Sequence, residues 1–397
     1  MKVFEIQGGF GLEHVQSVER EIPVPGPGEV LIRLRAVSLN SRDIGVINGV
    51  YEPNLKMPLI PLSHGVGEVV SMGGRSNKFK PGDRVSAIFT QSWISDEPTQ
   101  ANWGSTLGSP LQGLLAEYAV LPEEGLVRVP EHLTDEEAAA LPCAGVTAWH
   151  AIVEEGRVKP GDSVVIQGTS GVSLFALQFA KLHGANVIIT SSSDEKLERA
   201  KSLGADYGIN YKLSPDWDKA VLEQTHDRGA DLILDLGGAA TLNRSLSALI
   251  VGGQISIVGL LSGARAELDI VPALLKKARL QAINVGSRSM FENMNQAIEQ
   301  SGLRPVIDRV FPFDQSIEAN SVFWTGNTLW ESLYLNVMIR SSDEGLPWQA
   351  LLSLLLICHP CLARTDFVAR KRDVEAQRIR AADQSIQSWP LRSGRLD

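Results

Sequence analysis

Gly168-Thr169-Ser170-Gly171-Val172-Ser173 lies between an apolar segment, Ser163 to Gln167, and an apolar run, Leu174 to Leu182. Glycine lets a backbone turn sharply and come close to a bulky anion, and a helix starting there offers N–H groups and positive potential. That chemistry is pyrophosphate binding, with Gly168, Thr169, Ser170, Gly171 and Val172 as the expected contacts and Ser173 where the usual fingerprint has a third glycine. The alternative is a plain tight turn. A second apolar segment, Asn186 to Thr190, runs into Ser191-Ser192-Ser193, and Lys196 follows one turn later. A site for NAD places a carboxylate about 20 residues past the glycines to hold the ribose 2′-hydroxyl. Hydroxyls and an ammonium suit a 2′-phosphate instead, so NADPH is expected over NADH, with Ser191, Ser192 and Lys196 reading the phosphate. Asp194 argues the other way, although three residues past the strand it also suits the start of the next helix. The serines can cap that helix as well, and both readings hold together.

Those side chains need a sheet behind them. Ser163 to Gln167, Asn186 to Thr190, Ala230 to Asp235 and Gln254 to Gly259 read as strands, and Leu174 to Leu182 and Asp194 to Leu203 as helices. Strands and helices alternating in units of about 30 residues predict an α/β doubly wound parallel sheet. Thr134 and Glu137 form a capping box that opens the helical part. Before it, residues 1 to about 122 read as a β-rich domain: Val30 to Arg35 alternates, and Gly67 to Ser71 and Arg84 to Phe89 flank the turn Pro81-Gly82-Asp83. From 265 to 318 the pattern is mixed, ending in a strand from Asp308 to Phe313.

Composition narrows the setting. The chain has 397 residues, 44% hydrophobic and 21% charged, which fits two or three globular domains and excludes a disordered or fibrous protein. Thirty-seven basic against 46 acidic residues give −9, a poor match for nucleic acid or an anionic membrane. Three cysteines, Cys143, Cys358 and Cys361, are too few for a disulfide scaffold and predict a reducing, cytoplasmic setting. The start, MKVFEIQGGF, carries no apolar signal segment, and no stretch has the length of a membrane span.

PLIPLSHGVGEVV, KPGDRV, LPCAGVTAWHAIVE, KPGDSVVIQGTSGVSLFALQFAKLHGA, GADYGINY and RPVIDRVFPFDQSIEA, in this order over residues 1 to 318, resemble the medium-chain dehydrogenase/reductase superfamily. Within it the similarity is to zinc-independent, quinone oxidoreductase-like alcohol dehydrogenases. The resemblance implies a GroES-like catalytic domain (1–122, completed by 265–327) facing a Rossmann domain (123–264) across the active-site cleft. It implies an NADPH-dependent oxidoreductase that moves hydride between the nicotinamide and a carbonyl, quinone or activated alkene, and a possible homodimer. It also implies cofactor contacts at Thr147, Tyr211, Gly259 and Leu260. For Tyr211, a buried core aromatic is the alternative.

The zinc-dependent relatives use Cys, His and Cys as ligands, and the corresponding positions here hold Asn40, His64 and Cys143. A neutral amide substitutes poorly for a thiolate, and Ala87 to Leu114, where relatives carry a four-cysteine lobe, has no cysteine. No catalytic zinc is expected; a zinc-dependent alcohol dehydrogenase is the alternative. Charge on the substrate oxygen must then be met by positioned donors. Asn40-Ser41-Arg42-Asp43 matches the family's N-x-x-D segment, which implies that Asn40 donates to the substrate carbonyl and Asp43 orients it, with Tyr51 a second donor. A turn with side-chain-to-backbone bonds is the competing account of Asn40 and Asp43. Arg42 reads as a surface or phosphate-contacting residue, and His64 as a packed loop histidine.

Relatives end in a segment like TG-x-HFGKVFI, whereas this chain continues Trp324-Thr325-Gly326-Asn327 and then Thr328 to Tyr334. One set of codons for Thr328 to Tyr334, read one nucleotide later, encodes His-Phe-Gly-Lys-Val-Phe-Ile. A one-nucleotide shift near Asn327 follows, with residues 328–397 poorly packed, the closing strand of the catalytic domain lost, and an inactive cofactor-binding relic as a further alternative. In such a tail the C-x-x-C pair Cys358 and Cys361 is accidental.

Overall fold

The computed structural model describes residues 1–324, apart from Pro53 and Asn77, and residues 337–341. The N-terminal part contains β1 (Lys2–Ile6), β2 (Val15–Glu19), β3 (Glu29–Leu39), α1 (Ser41–Ile47), β4 (Gly65–Met72), β5 (Arg84–Ala87), β6 (Tyr118–Pro122) and β7 (Leu126–Arg128). β3 is long and mostly buried, and it pairs antiparallel with both β4 and β6. The turn expected at Pro81 to Asp83 connects β4 and β5, which pair antiparallel. Helix α1 starts at the end of β3, so Asn40 and Asp43 are carried inward on the first turn of a short helix.

The capping box opens α2 (Asp135–Ala139): the Glu137 amide donates to Thr134 Oγ1 at 3.2 Å, and Glu137 Oε2 accepts from the Thr134 amide at 2.8 Å. Next comes α3 (Val146–Trp149), and then an alternating series. This runs β8 (Ser163–Gln167), α4 (Gly171–Leu182), β9 (Asn186–Ser191), α5 (Asp194–Ser202), β10 (Tyr207–Asn210), α6 (Trp217–Gln224), β11 (Ala230–Asp235), α7 (Leu242–Ala248), β12 (Leu249–Ile257), α8 (Ile270–Leu275) and β13 (Arg279–Ala282). All six strands are parallel, in the order β10-β9-β8-β11-β12-β13. This is the doubly wound order whose direction reverses between β8 and β11, opening a crevice at the strands' carboxyl ends. Phe175, Phe179 and Leu177 of α4 are fully buried, and Trp149 meets the Phe179 ring edge-on at 5.4 Å. The apolar run after the glycine turn is therefore the buried side of α4.

The chain then forms α9 (Arg288–Ser301), β14 (Arg309–Pro312), α10 (Ser316–Trp324) and β15 (Val337–Arg340). Two expectations change here. Arg279–Ala282 pairs with β12, so the parallel sheet extends beyond residue 264, where its end was expected. The mixed pattern hid α8 and β13 because Ile270, Val271, Leu274, Leu275 and Leu280 are exposed, which blurs the burial periodicity.

The second concerns the tail. Val337–Arg340 pairs parallel with β14 and antiparallel with β3, so the catalytic domain's closing strand is present rather than lost. Backbone pairing accepts many sequences. Alternation does the rest: Met338 joins the core cluster that contains Ala138 and Ala139 of α2, and the adjacent Ile339 packs into the β-rich core. An apolar run is what a strand buried on both faces requires. The remaining expectations for 328–397, including Cys358 and Cys361, lie outside the described residues. Among the described residues no helix is long and apolar enough to cross a membrane.

Candidate functional site

Six of the expected cofactor residues, Gly168, Thr169, Ser191, Ser192, Lys196 and Tyr211, line one cavity of about 370 Å³ at the carboxyl ends of β8, β9 and β11. Gly168 takes φ +74°, a left-handed conformation that strains any residue with a Cβ. Ser173, in the third-glycine position, is fully buried and donates to the Gln167 carbonyl at 2.9 Å; its hydroxyl closes the turn onto the strand. Ser170 is the N-cap of α4, and Gly171 and Val172 form its first turn, whose N–H groups have no acceptor within the helix. Thr169 and Ser191 bring their hydroxyls to 3.5 Å across the mouth of the turn.

The three serines divide their work. Ser191 and Ser192 line the cavity, while Ser193 caps α5 by accepting from the Lys196 amide. Asp194 does not line the cavity; it accepts from Asn210 Nδ2 at 2.8 Å. Tyr211 is 37% exposed, so it is a cavity wall and not a core aromatic. Gly259 and Leu260 follow β12 and pack beside Gly238, bordering the cavity without lining it; Leu261 and Ser262 line it instead.

The opposite wall was not legible in the sequence. Gln167, Leu236, Gly237, Thr241 and Arg244 contribute to it, and it is set by Asp235, which has no exposed surface. Asp235 accepts from Gln167 Nε2 (3.0 Å), Ser245 Oγ (2.6 Å), Thr241 Oγ1 (2.8 Å) and the Gly238 amide (2.8 Å). Gln167 Oε1 in turn accepts from the Leu236 and Gly237 amides. A buried carboxylate satisfied by four donors fixes the loop after β11 against the end of β8. The available signal was an acid ending an apolar strand directly before Leu236-Gly237-Gly238.

The second cluster sits in the β-rich N-terminal domain. Asn40 donates its side-chain amide to His64 Nδ1 at 2.9 Å and, more weakly, to Ser38 Oγ at 3.4 Å. Asp43 accepts from the Asn40 amide N–H at 2.9 Å and from Ser63 Oγ at 3.2 Å. Both Asp43 and His64 are sealed from solvent. Burial pushes Asp43 up to about 6, against the opposing pull of Arg42 and its hydrogen bonds. Burial, then the Arg42 charge, hold His64 well below its ordinary value, so the imidazole is neutral. Its ring stacks on Phe89 at 5.3 Å.

Arg42 departs from its expectation as a surface or phosphate-contacting residue. Its guanidinium lies over the Phe89 ring at 4.9 Å and donates to the Ser109 and Leu107 carbonyls at 2.7 and 3.2 Å. It belongs to the frame of the site. Tyr51 is 63% exposed and lies against Arg42 at 5.5 Å; among the described residues no hydrogen bond joins it to Asn40 or His64. Cys143, half-buried beside Thr147, has its thiol pushed up to about 12 by burial and the nearby Asp43 charge. Thr147 on α3 is buried and bonds to that sulfur. The cysteine-free lobe is held by Asn102, which accepts from Thr99 Oγ1 at 2.7 Å and donates to the Ser92 carbonyl at 2.9 Å.

A β-rich domain with a sealed polar cluster, joined to a doubly wound sheet with a glycine-turn crevice, defines an NAD(P)-dependent oxidoreductase. Comparison gives the family. The alcohol dehydrogenase GroES-like domain matches residues 26–131, and the zinc-binding dehydrogenase domain matches residues 171–300. The chain is 42% identical over 322 residues to a zinc-type alcohol dehydrogenase-like protein of Schizosaccharomyces pombe, covering 79% of this chain and 93% of that protein. It is 29% identical to a quinone oxidoreductase of Pongo abelii, covering 81% and 92%. A crystal structure of an NAD-dependent alcohol dehydrogenase superposes with a TM-score of 0.77 at 33% identity, covering 86% of this chain and all of that one. The chain belongs to the medium-chain dehydrogenase/reductase superfamily, in its alcohol dehydrogenase and quinone oxidoreductase group.

Proposed function

We propose that this oxidoreductase uses NADPH, works without catalytic zinc, and reduces a carbonyl, quinone or activated alkene or runs that reaction in reverse. The observation that carries the cofactor choice is the cavity wall: Ser191, Ser192 and Lys196 line it together, and none of the described lining residues is acidic. Lys196 has no ion-pair partner among the described residues, which leaves its ammonium available for a phosphate, and Asp194 is engaged by Asn210. Gly168 to Val172 would hold the pyrophosphate, with Thr147, Gly259 and Leu260 towards the nicotinamide. When bound, the cofactor supplies the hydride.

Zinc-free working is supported by the chemistry of the donor set. Asn40 supplies no thiolate and gives its amide to His64, the Cys143 thiol resists ionisation, and among the described residues no three His, Cys, Asp or Glu are grouped to hold a metal ion. The Asn40 amide is the donor nearest the role of meeting charge on the substrate oxygen. It would exchange its long bond to Ser38 for one to substrate, while Asp43 fixes the Asn40 backbone. Tyr51, on the exposed side of Arg42, would serve as a second donor only from a closed cleft.

A homodimer fits the edge of the parallel sheet. The outer edge of β13 has no strand partner among the described residues, and α8, leading into it, exposes Ile270, Val271, Leu274 and Leu275. An apolar sheet edge left open invites pairing. Cytoplasmic residence belongs to the same reading and rests on the sparse cysteines. The test is a turnover screen of quinones, enones, aldehydes and alcohols with NADPH and NADH, with and without chelator. NADPH-supported, chelator-resistant turnover is expected; turnover with NADH alone, or its abolition by chelator, overturns the proposal.

A further inference from the structure

Arg244, on α7, lines the cofactor cavity together with Pro215 and Trp217, whose neighbours Asp216 and Asp218 hold it. Its guanidinium is held by one nitrogen: Nη1 donates to Asp218 Oδ1 at 2.7 Å and to Asp216 Oδ1 at 3.0 Å. Nη2 and Nε have no other partner among the described residues, and the side chain is 37% exposed. Asp218 is largely buried, and Asp216 also receives Lys219 Nζ at 2.8 Å. The arginine is tethered in one orientation with the rest of its planar fork free.

The charge around it decides what that fork can take. Two carboxylates beside the guanidinium offset its charge, and a dianionic phosphate placed there would meet both of them. Lys196, which lines the same cavity, has no such carboxylate beside it among the described residues. A purine carries no charge, has ring nitrogens that accept hydrogen bonds, and has a π face over which a guanidinium is attracted. We propose that Arg244 is a specificity-determining residue for the adenine base, while Lys196, Ser191 and Ser192 read the 2′-phosphate. This rests on the reading of the cavity as the adenosine end of a nicotinamide dinucleotide site. It does not depend on whether NADPH or NADH is preferred.

The test uses the full chain and titrations of NADPH, NADH and reduced nicotinamide mononucleotide, which lacks the adenosine. Arg244→Gln should raise the Kd for NADPH and NADH by the same factor, about tenfold, as the loss of one charge-assisted contact implies. The mononucleotide Kd should not change. Arg244→Lys keeps a cation for Asp218 but loses the fork, and should show the same paired loss with its melting temperature preserved. A loss confined to NADPH would reassign Arg244 to the phosphate. An unchanged Kd for both dinucleotides in Arg244→Lys, or in Arg244→Gln with only the melting temperature lowered, would reduce the residue to a tie between α6 and α7. Either result overturns the proposal. The wild-type ratio of NADPH to NADH affinity judges the cofactor choice separately.

Discussion

Asn40 donates its side-chain amide to His64 Nδ1 across 2.9 Å, in a pocket where His64 has no exposed surface. An accepting Nδ1 places the ring proton on Nε2, which agrees with a histidine held neutral by burial. Asn40→Ala leaves that nitrogen with only the longer contact to Ser63 Oγ at 3.3 Å. Urea unfolding should show a loss of about 1–3 kcal/mol, the usual cost of stranding a buried polar atom. A change below about 0.5 kcal/mol would mean that the contact does not organise the pocket.

Asp43 gives a pH signature of known sign. Its folded pKa is raised from 3.8 to about 6, so the folded chain holds this proton more tightly than the unfolded chain does. The resulting stabilisation is full below 3.8 and is lost as pH rises through 6, on the order of 3 kcal/mol for a shift of this size. His64, with a lowered pKa, acts oppositely, costing stability as pH falls below about 6.5. Comparing wild type with Asp43→Asn at pH 4 and pH 7.5 isolates the carboxylate. The wild type's stability relative to the variant should fall over that interval; a flat or rising difference contradicts the assignment.

Cys143 should be inert. With its thiol pushed up to about 12, only about one molecule in ten thousand carries the thiolate at pH 8. Iodoacetamide at that pH, followed by peptide mass spectrometry, should leave Cys143 unmodified in the folded protein and alkylate it in urea. Rapid labelling of the native protein would show that the sulfur is activated.

The strand Val337–Arg340 carries a prediction of its own. Met338 and Ile339 are fully buried on opposite faces, so Ile339→Ala should cost about 2–4 kcal/mol in urea unfolding. Met338→Asp should prevent soluble expression or lower the melting temperature sharply. A chain indifferent to both changes would show that this segment adds nothing to the fold.

The sequence makes four strands of the parallel sheet (β8, β9, β11 and β12) and the glycine turn readable because each of these strands carries an apolar run ended by Gly, Asp or Ser, whereas β10 and β13 carry none. Ser191, Ser192 and Lys196 were readable for the same reason: they follow a strand end at the spacing where a ribose is met. Arg244 and Asp235 were not. Their importance comes from pairing with Asp218 and Gln167, partners 26 and 68 residues away, which no local period encodes. Arg42 was misplaced because a charged residue in a first helical turn reads as solvated. Only the fold brings the Phe89 ring and the Ser109 carbonyl to its guanidinium. β15 was missed because a four-residue apolar run in an unfamiliar tail has no flanking signal, while the gap between β14 and β3 that it fills exists only in three dimensions.

The central claim is that Ser191, at the end of β9, selects the phosphorylated cofactor. Fluorescence titration of NADPH and NADH into wild type and Ser191→Asp tests it most directly. Wild type should bind NADPH at least tenfold more tightly, and Ser191→Asp should erase or invert that ratio, because a carboxylate there repels the 2′-phosphate and accepts from a ribose hydroxyl. Equal wild-type affinities, or a preference for NADPH that survives Ser191→Asp, would contradict it.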